Sequence, residues 1–237
     1  NQEVSVRIGS SVKLMLFPTV LSIAIGVSLG VYTAQRQYHW QDRFWSGVAS
    51  VFLVIPTVVL AILVVFFAIE INSAAGTRIF YVTGLQSYTG GNVFLEFLDF
   101  LQHMILPTIV LTIISAVGYH LNQRTYLLDE MHADYVRTAR AKGLTRKQAI
   151  RKHALRASLI PTSVNVAFSI AGIFTGAVMT EKIFAIHGLG EYFINAINGN
   201  NIHGAVAVAA FSGVCTLAGA LLADLFAAAL DPRIKMS

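Results

Sequence analysis

Five long segments that are almost free of charged residues constrain this chain more than any other feature of its sequence. They cover approximately residues 12–34, 46–70, 104–123, 158–180 and 204–230, and are named segments A to E. A helix of roughly 17 to 25 apolar residues crosses about 30 Å of bilayer hydrocarbon. Over the whole chain 55% of residues are hydrophobic and only 12% are charged, which is outside the range of water-soluble domains. The sequence therefore predicts a multi-pass membrane protein.

The spanning segments are predicted to be helices. In lipid a backbone must satisfy its own hydrogen bonds, so only helices and closed barrels cross a membrane. Residues 58–67 form a continuous apolar run without the alternation of a barrel strand. We therefore predict an all-α integral membrane protein, a bundle of about five transmembrane helices in which residues 1–237 form a single domain. Because the sequence starts at Asn1 without a signal-peptide pattern, we expect a further segment upstream.

Basic residues cluster between segments C and D. Lysine and arginine near short loops resist translocation, so loops rich in them stay in the cytoplasm. Nine of the 17 basic residues lie in this connection. They are Arg124, Arg137, Arg140, Lys142, Arg146, Lys147, Arg151, Lys152 and Arg156. Counting spans from there predicts a cytoplasmic C-terminus and an extracytoplasmic start. A nucleic-acid site is excluded because the charges flank membrane segments and no nucleic-acid motif accompanies them.

The C–D loop is predicted to be folded. Residues 134–156 are helix formers interrupted at Gly143, which predicts two short helices with a break between them. Asp134 suits the N-cap of the first helix, and Gly143 suits the left-handed position that ends it. Thr145 and Gln148 have the spacing of a capping box. The first helix fits a groove on a partner protein, and it fits a solvated helix at the membrane surface equally well.

Residues 134–144 carry the most specific motif of the chain, DYVRTARAKGL. This run closely resembles the cytoplasmic signature of ABC importer permeases in its peptide-transporter form. In that family the short helix is a coupling helix seated in a cleft of the ATP-binding subunit. The resemblance therefore implies an ATPase-coupling interface. Its members are Tyr135, Val136, Arg137, Thr138, Ala139, Arg140, Ala141, Lys142, Gly143 and Leu144.

Two departures from the general family pattern favour the peptide branch. Arg137, Thr138 and Ala139 stand where sugar-type permeases have Glu-Ala-Ala, and Arg156 stands where those permeases have a proline. The run EKIFAIHGLG over residues 181–190 is similar to the loop after the corresponding helix of peptide permeases, with His187 at a common proline position. The terminal DPRIK over residues 231–235 resembles the end of the permease type encoded first of the two.

The resemblance implies an architecture and a set of partners. It implies the type I ABC importer permease fold, with one more span upstream and a cytoplasmic coupling loop at residues 134–156. The implied partners are a second permease subunit, two ATP-binding subunits, an extracytoplasmic substrate-binding protein and membrane lipid, with no nucleic acid. ATP and Mg²⁺ would bind the partner subunits, and no cofactor is implied for this chain. The implied location is a bacterial-type cytoplasmic membrane.

Four residues are candidates for the pathway or its gate. Asp224 lies within segment E, where an ionised carboxylate costs several kcal/mol unless it is paired or wet. We expect it to face the bundle, as a pathway contact or in a hydrogen bond between helices. His187, Gly188 and Gly190 follow from the resemblance of the 181–190 loop.

Other residues of the spans are interpreted as packing features. Gly26 with Gly30, and Gly172 with Gly176, have the spacing that lets helices approach closely. His120 and Asn122 are interpreted as interfacial or helix-packing residues. Pro18, Pro56, Pro107 and Pro161 lie in or at the ends of spans, where they are expected to bend the helices.

The sequence carries no catalytic signature. The seven histidines are scattered without paired ligand spacing, so no metal site is predicted. Zinc-helix, nucleophile-elbow and Walker A motifs are missing from the sequence. We therefore expect a non-catalytic subunit.

Three alternatives remain open from the residues alone. The same machinery serves nickel chelates or glutathione in similar permeases. A gradient-driven secondary transporter would show inverted repeats and buried ion-coordinating acids, and no such repeat is visible. A membrane scaffold would dock a cytoplasmic partner on the C–D loop without transport.

Overall fold

Helices form all the regular structure of the described residues, which are 2–88 and 90–230 of a computed structural model. The long helices are α1 (Gln2–Gln35), α2 (Trp40–Val54), α3 (Thr57–Ala75), α4 (Val93–Met131), α7 (Leu155–Ile173) and α10 (Ile202–Leu230). The short ones are α5 (Asp134–Ala141), α6 (Arg146–Ala149), α8 (Val178–Ile183) and α9 (Leu189–Asn198). A π-helical turn, Ile150–Ala154, joins α6 to α7. The predicted all-α class is confirmed.

Within residues 2–88 and 90–230, five stretches are long and apolar enough to cross a membrane. They are Val4–Gln35, Thr57–Ala75, Val93–Met131, Arg146–Ile183 and Ile202–Leu230. The predicted number of spans is therefore confirmed. At 39 residues, α4 is about 58 Å long, so it projects beyond the hydrocarbon layer.

The predicted start of segment B is wrong. The segment was expected to run from residue 46 to residue 70, but the helix breaks after Val54 and resumes at Thr57. Pro56 has an extended backbone (φ −60°, ψ 139°), and a proline has no N–H to continue the helical ladder. Pro18, Pro107 and Pro161 instead lie inside α1, α4 and α7.

The chain forms two compact units. Of the described residues, unit 1 comprises 2–20, 55–88, 90–114 and 172–215, and unit 2 comprises 21–54, 115–171 and 216–230. Long helices such as α1 and α4 contribute to both units.

In unit 2, α1 packs closely on α4 through two glycines. A Cβ atom at Gly26 would lie 2.5 Å from the Cβ of Tyr119, and one at Gly30 would lie 2.8 Å from the Cβ of Gln123. The close-packing interpretation of this pair is confirmed. In the same unit, the Arg156 side chain donates a hydrogen bond of 3.0 Å to the carbonyl of Leu230 at the end of α10.

In unit 1, the second glycine pair does not pack in this way. A Cβ at Gly172 would meet nothing within 4 Å, and Gly176 adopts a positive φ of 79° after the end of α7. The close-packing interpretation is therefore wrong for Gly172. At Gly176, a Cβ would lie 2.3 Å from Glu181 Oε1 and 2.8 Å from Ser11 Oγ of α1, so this glycine does allow a close contact within unit 1. Elsewhere in this unit, Asp99 accepts hydrogen bonds from the backbone N–H groups of Ser87 and Tyr88 and so fastens the B–C loop to α4.

Candidate functional site

Helix α5, which contains most of the predicted coupling motif, is clearly two-sided. Val136 and Ala139 are buried, whereas Tyr135 is 41% exposed and the remaining helix side chains point to the outside of unit 2. The outward side chains of the predicted interface are Tyr135, Arg137, Thr138, Arg140 and Ala141 on the helix and Lys142 just after its end. Of the ten predicted interface residues, Val136 and Ala139 are thus buried within unit 2.

The buried side of α5 belongs to a small apolar core of unit 2, here named the loop core. Its buried members are Ala34, Leu127, Val136, Ala139, Ala149, Ile150 and Ala154. Val31, Leu128, Met131, Leu144 and Leu155 pack against them. The loop core ties the ends of α1 and α4 to the 134–156 loop, since burying apolar surface contributes about 25 cal/mol per Å². The prediction that this loop is folded is confirmed.

The turn after α5 is a Schellman motif. Gly143 adopts a φ of 95°, a left-handed conformation that glycine adopts without strain. The Leu144 N–H donates to the Ala139 carbonyl at 3.3 Å, and the Gly143 N–H donates to the Arg140 carbonyl at 3.0 Å, which is the bonding pattern of that motif. Because Leu144 also packs on the loop core, the break predicted at Gly143 is confirmed.

The start of α6 is held by the predicted capping box. The Gln148 N–H donates to Thr145 Oγ1 at 3.3 Å, and the Thr145 N–H donates to Gln148 Oε1 at 3.0 Å. From there the helix continues through the π turn into α7, so the loop connects without a break to a spanning helix. No feature of the sequence indicated the π turn.

The prediction that Asp134 caps α5 is wrong by one position. The N-cap is Ala133, whose extended backbone (ψ 148°) precedes the first helical residue, and no side chain caps it. The Asp134 side chain is 96% exposed and lies 3.5 Å from Arg137. An ion pair this exposed contributes little stability.

Tyr135 is anchored from the neighbouring helix. Its hydroxyl donates a hydrogen bond to a carboxylate oxygen of Glu130, near the end of α4. Partial burial, followed by the bond to Glu130 and its negative charge, raises the pKa of Tyr135. The tyrosine therefore stays neutral and remains partly exposed on the outer face of α5.

A buried ion pair in unit 2 was not found from the sequence. Arg124 on α4 donates from Nε and from a terminal nitrogen to the two carboxylate oxygens of Asp42, at 2.6 and 2.8 Å. Asp42 is only 3% exposed and also accepts from the Tyr38 N–H and the Ser46 hydroxyl. The bond from Arg124, followed by these donors, lowers the pKa of Asp42 despite its burial. The pair fixes the start of α2 against α4.

Buried polar side chains of α1, α4 and α7 form further hydrogen bonds in unit 2. His120 bonds to Thr33 at 3.1 Å, Gln123 donates to Ser158 at 3.0 Å, and Thr162 donates to Gln123. The helix-packing interpretation of His120 is confirmed. Asn122, which was interpreted as an interfacial or helix-packing residue, is exposed. Its buried neighbour Gln123 makes the contact between helices.

The pathway candidate Asp224 does not face the interior of unit 2. Its side chain is exposed, and it forms no hydrogen bond or ion pair with the part of the chain that the structure describes. Leu217, Leu221 and Leu225 are also more than half exposed along α10. The expectation of an inward carboxylate is wrong because this stretch of α10 turns much of its surface away from its own chain.

The other pathway candidates surround a buried carboxylate in unit 1. Glu181 is 0% exposed; it accepts hydrogen bonds from the Ser11 hydroxyl at 2.7 Å and from the Glu191 N–H at 2.8 Å. A Cβ at Gly188 would lie 2.3 Å from the Glu181 carboxyl, and one at Gly190 would lie 2.7 Å from Val178. The two glycines thus make room for Glu181, which the sequence reading included in a motif without giving it a role.

His187 lies at the rim of this loop. Its side chain is 76% exposed, and its Nδ1 is 3.0 Å from Glu191. Arg7 of α1 reaches the same carboxylate oxygen at 3.3 Å. The geometry therefore gives this histidine a hydrogen-bond partner at the surface of unit 1. In the described residues no group of three or more His, Cys, Asp or Glu side chains is placed to hold a metal ion.

Comparison with known proteins gives one family and several long relatives. Residues 26–236 match the family described as binding-protein-dependent transport system inner membrane component. The chain is 41% identical over 236 residues to the oligopeptide transport system permease protein OppB of Mycobacterium tuberculosis H37Rv, a match that covers 99% of the chain and 73% of that protein. It is 30% identical over 230 residues to the oligopeptide permease AppB of Bacillus subtilis 168, with 97% and 70% covered.

A solved structure has the same fold. A chain of the MetNI methionine ABC transporter, in an inward-facing conformation, superimposes with a TM-score of 0.68 at 17% identity. The superposition covers 96% of this chain and 95% of that one. The predicted fold is confirmed by this likeness.

Proposed function

Because the chain belongs to the family of binding-protein-dependent transport system inner membrane components, we propose that it is a permease subunit of an ATP-driven peptide importer. The peptide branch inferred from residues 134–144 agrees with the oligopeptide permeases among its relatives. Its five apolar spans make it a multi-pass membrane protein. The predicted membership of this family is confirmed.

One observation supports a coupling role most directly. The outward side chains of the predicted interface are presented by α5, whose other side packs on the loop core. A partner bound to this face would therefore move α5 together with the loop core, because the helix is not part of a flexible linker. The Schellman turn and the capping box limit the conformational freedom of the connection between α5 and the helix that continues into α7. Movement of an ATP-binding subunit would therefore reach a spanning helix of unit 2 directly.

The remaining partners follow from the proposed role. The importer would contain a second permease subunit, two ATP-binding subunits that bind ATP and Mg²⁺, and an extracytoplasmic substrate-binding protein. This chain would supply half of the pathway and no catalytic group. The charge asymmetry of the loops supports a cytoplasmic position for α5 and for the C-terminus in a bacterial-type membrane. Nickel chelates or glutathione remain the alternative cargo, since the cargo would be selected largely by the binding protein.

A reconstitution experiment tests the proposal. The complex would be purified with its partner subunits, placed in proteoliposomes, and assayed for uptake of a labelled peptide with and without ATP. Ala141→Trp places a bulky ring on the outer face of α5 without disturbing the loop core, and it should abolish both uptake and ATPase retention. Ala75→Trp, at an exposed position at the end of α3, is the matched control and should leave both unchanged. Uptake that persists without any ATPase would overturn the importer proposal in favour of a gradient-driven carrier.

A further inference from the structure

Two hollows in the surface of unit 2 meet at Arg146 and Ile150. The first encloses about 430 Å³ and is lined by Gln35, Arg146, Lys147, Ile150, Arg151 and Leu155. The second encloses about 290 Å³ and is lined by Met131, His132, Val136, Arg140, Arg146 and Ile150. Only the second contains residues of α5, so only the second adjoins the face proposed to hold the ATPase. The first, here named the basic hollow, requires a different occupant.

The charge of the basic hollow selects an anion. Arg146, Lys147 and Arg151 line it, and no carboxylate does. None of the three cations forms an ion pair or a side-chain hydrogen bond with the described parts of the chain. Three such cations within six residues repel one another, and an anion bound between them would relieve that repulsion.

The position of the basic hollow selects a lipid. Gln35 lies one residue after segment A, and Leu155 lies three residues before segment D. The inner end of the hollow is therefore near the level where two spans leave the hydrocarbon, and Arg146 lies further out. Its apolar lining, Ile150 and Leu155, belongs to the helical stretch that continues into segment D. A phospholipid would place its phosphate beside the cations and an acyl chain along the apolar residues, which matches the arrangement of charged and apolar residues in the hollow.

The π turn creates the apolar side of the hollow. The Leu155 N–H bonds to the Ile150 carbonyl, five residues earlier. In an α-helix, residues five apart point about 140° away from each other, whereas the wider turn brings Ile150 and Leu155 towards one side. Turns of this kind are frequent at functional sites.

From these observations we propose that the basic hollow binds the phosphate headgroup of an anionic phospholipid of the cytoplasmic leaflet. The inference goes beyond transport and takes from the proposed function only the cytoplasmic position of the 134–156 loop. The lipid would brace α6 against the end of α1, on the opposite side of Arg146 from the ATPase.

Native mass spectrometry of the whole importer in detergent tests the site. Dioleoyl phosphatidylglycerol and dioleoyl phosphatidylcholine would be added separately, and retained lipids counted. Phosphatidylglycerol should be retained preferentially. Since each cation near a phosphate contributes about fivefold in affinity, Arg151→Gln should weaken retention about fivefold and the triple change Arg146→Gln, Lys147→Gln, Arg151→Gln about 100-fold. Lys152→Gln removes the same charge one residue outside the hollow and should change nothing, while Arg151→Lys should retain the lipid.

Several outcomes would overturn the assignment. Equal retention of phosphatidylcholine would remove the headgroup preference, and unchanged retention in the triple variant would remove the site. Full displacement by inorganic phosphate would make it a site for free anions. If the triple variant lost the ATPase subunits but retained the lipid, the hollow would be a contact site for the ATPase and not for a lipid. ATP-driven uptake, measured separately on wild type, tests the importer proposal independently, because lipid retention needs no transport.

Discussion

The connection at residues 134–156 and the connection at residues 174–201 both follow a long helix and both turn tightly, but they are closed by different means. The first rests on small apolar side chains and backbone caps, and each contact is modest. The second closes around one carboxylate, Glu181, which is 0% exposed. The comparison shows that a loop built from many small contacts keeps its outer face free for a partner, whereas a loop built around one group depends on that group.

The dependence on Glu181 gives the largest expected effect. Glu181→Ala removes the acceptor for the Ser11 hydroxyl and the Glu191 N–H and leaves a cavity. Each buried group left unsatisfied costs about 1–3 kcal/mol, so we expect a loss of about 4 kcal/mol in the free energy of unfolding. Titration with SDS in mixed micelles measures it. A loss below about 1 kcal/mol would show that the carboxylate does not organise the loop.

Gly188→Ala tests the packing of the same loop through a purely steric change. Gly188 has an ordinary extended backbone, but a Cβ there would lie 2.3 Å from the Glu181 carboxyl, which is held in place by its donors. Overpacking of this kind costs about 1–3 kcal/mol. Gly213→Ala on α10, where a Cβ meets nothing within 4 Å, is the control and should be neutral or slightly stabilising. Equal effects at the two positions would contradict the contact.

Gly143→Ala tests the other loop through the backbone alone. Space around this glycine is open, but its φ is 95°, and a left-handed conformation costs an L-residue about 1–2 kcal/mol. We expect a stability loss of about 1 kcal/mol, together with reduced ATP-driven uptake because the end of α5 frays. Gly143→Asn should lose less, since asparagine adopts this conformation more readily. If alanine and asparagine behave alike, the backbone argument fails.

The smallest effect is expected at Asp134. Since its side chain is exposed and does not cap α5, Asp134→Ala should change the free energy of unfolding by no more than about 0.5 kcal/mol. Loss of a true N-cap would cost about 1 kcal/mol. The same SDS titration separates the two cases, with Thr145→Ala, which breaks the capping box of α6, as the positive reference.

Local chemistry made part of the site predictable from the sequence. Gly143 and the Thr145–Gln148 capping box depend on residues within a few positions of one another, so their spacing alone predicts the turn and the helix start. Apolar length likewise predicts the five spans. Asp134 was misplaced by one residue because aspartate is favoured both at the N-cap and in the first turn of a helix, and only the backbone angles of Ala133 decide between the two positions.

Contacts between distant residues were not predictable in this way. Asp42 and Arg124 are 82 positions apart, and Ser11 and Glu181 are 170 apart. The sequence shows an acid and a base at the edges of apolar segments without showing which pairs meet. The predicted orientation of Asp224 was wrong for a related reason. A carboxylate within an apolar segment needs a polar partner or water, but the sequence does not show whether its own chain supplies it.

The Schellman turn, which ends at Leu144, is followed directly by the capping box, which begins at Thr145, and this has a consequence for assembly. Between them they satisfy the backbone at the end of α5 and at the start of α6 from within the chain, so this segment can take its final shape as soon as the permease is inserted. In the proposed importer, an ATPase arriving later would meet a finished surface and would lose little affinity to ordering it. Release and rebinding of that subunit would then require no refolding of this segment.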